Sequence, residues 1–92
     1  MDVIILPIQK CDPLYFADGN IVLCGRMPDD ADAQIVFKVH KIVLTISSPI
    51  FRDMFALPQA EGADMLDGVP FVRLPDDRNE LESFLRVLYH LK

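Results

Sequence analysis

Ninety-two residues, 51% hydrophobic and 25% charged, make one small domain and exclude a disordered chain, which would be poor in apolar side chains. Fourteen acidic against nine basic residues give a net charge of −5, a field that repels phosphate backbones and argues against nucleic-acid binding. A mean hydropathy of +0.24 is high for so small a chain, and implies apolar surface that is covered by a partner or by chain beyond these residues.

Val3 to Ile8 reads as a short strand, confined by Pro7 to an edge or an end. The apolar start lacks a positive leader and is too short to span a bilayer, so no membrane association is expected. Pro13 and Asp18-Gly19-Asn20 punctuate the stretch up to residue 20. Ile21–Cys24 is a buried-strand run, and Ile35–His40 alternates with period two. The Gly- and Pro-containing loop between them makes the pair a β-hairpin.

After Lys41 the period becomes helical, with Ile42, Val43, Ile46, Ile50, Phe51, Met54 and Phe55 forming an apolar stripe. These seven supply a core or an interface, with the core expected for most of them. Pro49 splits the stretch into a helix over about 41–47 and a second one capped by Ser48 and stopped by Pro58. Residues 59–70 read as a polar loop, and Phe71–Leu74 as a third strand. Asp77 and Glu80 form a capping pair for a last helix, with Leu81, Phe84, Leu85, Leu88 and Leu91 on one face. The order is mixed without βαβ alternation, so the fold class is α+β, with short helices on a small mixed sheet.

Chemistry is sparse along this chain. Cys11, Cys24, His40 and His90 lack metal-ligand spacing, so no metal site is expected. Two cysteines make no disulfide framework, and both thiols are expected free in a reducing compartment, cytoplasmic or nuclear. Ser47 and Ser48 near His40 lack a nucleophile elbow, and no glycine-rich phosphate cradle occurs. His40 reads as a structural histidine bonded to a nearby carbonyl or carboxylate. Asp76-Asp77 reads as serving the helix start. No catalytic residues and no cofactor are expected.

One stretch is more specific. Phe37, Val39, His40, Lys41 and Leu44, followed by Ser48 and by Phe51-Arg52-Asp53-Met54-Phe55, resembles the BTB/POZ domain at the family's spacing. Asp18–Leu23, Asp67–Leu74 and Leu85–Tyr89 extend the resemblance, which looks most like the fungal branch and covers roughly 15–91. It implies a domain at 15–92 behind an N-terminal extension at 1–14. It also implies a C-terminal helical hairpin that is missing here, so part of the stripe ending at Leu91 should lack its cover. In function it implies a module that binds protein, as a homodimer, a hetero-oligomer or a cullin-type ubiquitin-ligase adaptor. Asn20 stands where many dimeric members carry Asp. Met65-Leu66-Asp67 is the nearest match to the apolar-x-Glu motif of cullin-recruiting members.

Overall fold

The alternation of Ile35, Phe37 and Val39 with Val36 and Lys38 sets the centre of the molecule, because each set faces a different side of one sheet. A computed structural model describes residues 7–57 and 64–90. Among these the elements run β1 (Ile8–Tyr15), β2 (Ile21–Arg26), β3 (Gln34–Val39), α1 (Lys41–Ser47), α2 (Pro49–Ala56), β4 (Met65–Leu66), β5 (Val69–Asp77) and α3 (Arg78–Leu88). The sheet order is β1-β3-β2-β5-β4. β2 pairs antiparallel with β3, placing Leu23 opposite Phe37, and parallel with β5, placing Leu23 beside Val72.

Both faces of β2 are covered, which explains its unbroken apolar run. Ile21, Leu23, Phe37 and Val39 face the helices and pack with Leu14, Leu44, Phe51, Leu74, Leu81 and Leu85. Val22, Cys24 and Val36 face the other way, under Tyr15, Leu66, Val69 and Phe71. The sheet therefore curls, and its two ends meet: Tyr15 of β1 donates a hydrogen bond to Asp67 beside β4.

The helices start and stop for the reasons their sequence suggests. Ser48 serves both sides of the α1–α2 break. Its N–H donates to the Leu44 carbonyl at 2.9 Å, and its Oγ accepts from Phe51 N. Pro49 sits at the first helical position of α2, where its missing N–H costs no helical bond. Asp77 caps α3, its carboxylate accepting from Asn79 N at 2.9 Å and Glu80 N at 3.4 Å.

Three expectations are corrected. Met65 and Leu66, read as loop, form β4, which pairs with Val69 and Pro70 across a two-residue turn. Asp67 at φ 53° and Gly68 at φ 78° supply the two left-handed residues that a type I′ hairpin turn needs. β5 runs from Val69 to Asp77, well past Leu74, and α3 comes directly after it without an intervening loop. The first strand is Ile8–Tyr15; the expected Val3–Ile8 strand lies mostly outside the described residues. Pro13 is tolerated in β1 because the strand lies at the sheet edge, and the register with β3 shifts between Lys10 and Tyr15. β1 pairs in parallel with β3, so Ile8–Tyr15 forms the edge strand of the same sheet. Among the described residues no helix is long and apolar enough to cross a membrane.

Candidate interaction surface

α1 begins where β3 ends, and a polar cluster holds that junction. His40 Nε2 lies 2.8 Å from Asp18 Oδ1, and its Nδ1 lies 2.9 Å from the Tyr89 hydroxyl. A carboxylate only accepts, so Nε2 carries a proton toward Asp18, while Nδ1 and the Tyr89 hydroxyl share the second bond. The Tyr89 oxygen in turn accepts from His40 N at 3.0 Å. Phe16 stacks on Tyr89 with ring centroids 4.7 Å apart. The hydrogen bond from His40 holds the Asp18 carboxyl below the usual carboxylate range, and burial pushes the Tyr89 phenol up. Asn20 Oδ1 accepts from Lys41 N at 2.8 Å, satisfying an orphan donor of the α1 start. His40 is thus bonded to a carboxylate, as its position between strand and helix suggests.

This anchoring orients α1. Leu44 turns inward and is fully buried, while Ile42 and Ile46, one helical turn apart, are 63% and 78% exposed. Ile50, in the first turn of α2, is 75% exposed. Of the seven stripe residues, Phe51 is buried and Val43, Met54 and Phe55 are half-buried. The expectation of core for most of them therefore divides, with Ile42, Ile46 and Ile50 left exposed. The remaining motif residues Phe37, Val39 and Leu44 are fully buried, Lys41 and Ser48 half-buried. Lys41 extends its ammonium over the Phe55 ring, 5.9 Å from the centroid.

In α3, Leu81 and Leu85 are buried and Phe84 and Leu88 pack partly against the core. The exposed large apolar residue of this helix is Val87, off the predicted stripe, and Leu91 lies outside the described residues. Sequence periodicity did not single out Val87. Neither did it signal Asp18 and Tyr89, which lie 22 and 49 residues from His40.

On the opposite edge, Met65 is 57% exposed, while Leu66 packs into the back-face cluster. Asp67 is engaged by the Tyr15 hydroxyl, with Lys10 Nζ at 3.7 Å. Burial, together with this hydrogen bond, pushes the Tyr15 phenol up to about 12, and the same bond holds the Asp67 carboxyl below its usual value. The pair fixes a pH window. A depressed carboxyl contributes above its unfolded pKa of about 4 and loses this as pH falls through the lower folded value. A raised phenol contributes fully below about pH 10 and loses this as pH rises through the folded value. The urea midpoint of the wild type should exceed that of Tyr15→Phe by a constant margin between about pH 4 and 10, narrowing on both sides. A margin independent of pH would show that the pair contributes nothing through its charge.

Cys11 and Cys24 are unpaired, and burial raises both thiols above their ordinary values. Among the described residues no group of three or more His, Cys, Asp or Glu is placed to hold a metal ion.

A curled mixed sheet backed by short helices, with Ile42, Ile46, Ile50 and Val87 exposed on them, is an α+β architecture with apolar side chains open to a partner. The chain belongs to the BTB/POZ domain family, whose profile matches residues 30–91. BTB/POZ domains are generally protein–protein interaction modules rather than catalysts. The match takes in β3, α1, α2, β4, β5 and α3, while β1, β2 and the Asp18–Asn20 turn precede it. No curated protein and no solved structure matches the chain.

Proposed function

We propose that the chain acts as an oligomerisation module, joining a second copy or another BTB/POZ chain through the ridge of Ile42, Ile46 and Ile50. The carrying observation is the exposure of all three, 63%, 78% and 75%, on helices whose inward faces are already apolar. A helix apolar on both faces belongs in an interior, here one completed by a partner. Burying each isoleucine is worth about 1.5–3 kcal/mol, which over two symmetric ridges offsets much of the cost of association. A two-fold contact, in which each ridge meets the other copy's ridge, closes at a dimer. Asn20 bonds to the α1 backbone, so the interface is read as apolar there.

Light scattering on the full chain at tens of micromolar should give a multiple of the monomer mass. Ile46→Asp should reduce it to the monomer, and at protomer concentrations low enough to dissociate the wild type the two should differ in stability by less than about 0.5 kcal/mol. A monomeric wild type at that concentration would overturn the reading.

A second reading, a substrate adaptor for a cullin-type ubiquitin ligase, is favoured by the exposure of Met65 in the hairpin before β5. Asp67 is tied to Tyr15, so Met65 carries the contact. Retention of a cullin N-terminal domain by the wild type and its loss in Met65→Asp would support this. No retention by either would end it.

A further inference from the structure

Between α2 and α3 the helix side of the molecule opens into a groove of about 420 Å³. Ile50, Phe51 and Met54 of α2 line one side, and Leu81 and Phe84 of α3 the other. Phe51 and Phe84 stack across it with centroids 6.1 Å apart and planes 13° apart, so the floor is continuous. Leu74 and Pro75 of β5 and Ser48 close the ends, Asp76 of β5 and Glu80 in the first turn of α3 add two carboxylates, and no basic residue joins them. Asp77, and neither of these two, caps α3. Asp76 and Glu80 are exposed, and neither has an ion pair or side-chain hydrogen bond among the described residues.

We propose that this groove, which adjoins the isoleucine ridge at Ile50, is a protein-docking site and takes a basic amphipathic helix of a partner protein. Two features select that occupant. A furrow walled by two helices seats a third by ridges-into-grooves packing, and such grooves read apolar anchors at i and i+3 or i+4. The charge at the rim is of one sign and unneutralised, so a Lys or Arg beside the anchors completes it, whereas an acidic flank is repelled. A second copy of the chain fits less well, because its net charge of −5 opposes an acidic rim.

The test uses the full chain and a displayed pool of helical peptides. Their apolar anchors are fixed at i and i+4, and their flanking positions vary among Lys, Arg, Asp and Glu. The wild type should enrich basic over acidic flanks on the order of tenfold, a bias that fades at high salt. Asp76→Lys combined with Glu80→Lys should reverse the bias. Both substitutions are at exposed positions, and an unchanged melting transition controls for folding. The same selection with Ile46→Asp, a position outside the groove, should keep the basic bias, which separates the groove from the isoleucines of α1. The proposal is overturned if no peptide is enriched, if both charges are enriched equally, or if the double-lysine variant keeps the basic peptides. It is also overturned if the double-lysine variant lowers the mass of the wild-type assembly, since a second copy would then fill the groove.

Discussion

Phe37→Ala is expected to cost about 3–5 kcal/mol, most of the stability of a domain this small. Phe37 is fully buried, lies opposite Leu23 of β2, and sits in the cluster that joins the sheet to Leu44, Phe51 and Leu85. Truncation would leave a cavity where β3, the helices and the sheet centre meet, and no neighbour is free to fill it. The urea midpoint should fall steeply with an unchanged slope, or the chain should be unfolded without denaturant. A loss under about 1 kcal/mol would mean that the helix-side core is loosely packed at its centre. Ile46→Ala is the contrasting case. An isoleucine 78% exposed contributes little to the fold of one chain, so its truncation should change association and, at concentrations where the chain is monomeric, leave the midpoint nearly where it was.

That contrast marks where the sequence was legible. The period-two run at 35–39 and the period of 3.6 after Lys41 identify β3, α1 and α2, and Ser48-Pro49 locates the break between the helices. These features are local, and backbone chemistry decides them. Periodicity identifies an apolar face without saying what covers it. Ile42 and Ile46 therefore look the same in the sequence as Phe51, and only the position of α1 over the sheet separates them. β4 was legible in principle, since Asp67-Gly68 is a strong hairpin signal, but a two-residue strand has no period to set beside it. β1 was not legible. Its partner β3 begins 26 residues further on and pairs in parallel, and Pro13 reads as an interruption until the strand is known to be an edge. The cluster around His40 was half legible. A bond from His40 to a nearby carbonyl or carboxylate was suggested by its place between strand and helix, but Tyr89 and Asp18 are brought to it by the fold.

Gly25 shows the same limit and carries the second large effect. In sequence it opens a loop with Pro28, and conformational freedom looks like its purpose. In the structure it is buried near the end of β2, where the chain passes from β5 into α3. A Cβ there would stand 2.7 Å from Arg78 Cα, 3.0 Å from Arg78 N and 3.1 Å from the Asp76 carbonyl oxygen. All three are backbone atoms, so no rotamer change relieves the contact. Either β2 and β5 separate or the start of α3 moves. Gly25→Ala is therefore expected to cost about 3 kcal/mol, the upper end for overpacking, as a drop in the urea midpoint. Because the displaced segment carries Asp76, the same substitution should weaken selection of basic peptides by the α2–α3 groove. Gly68→Ala provides the comparison: nothing lies within 4 Å of its Cβ, and its φ of +78° makes the cost purely conformational, about 1 kcal/mol. If Gly25→Ala proves no worse than Gly68→Ala, close approach is not the reason for glycine at position 25. If the order holds, the packing of the α3 start against β2 requires glycine there.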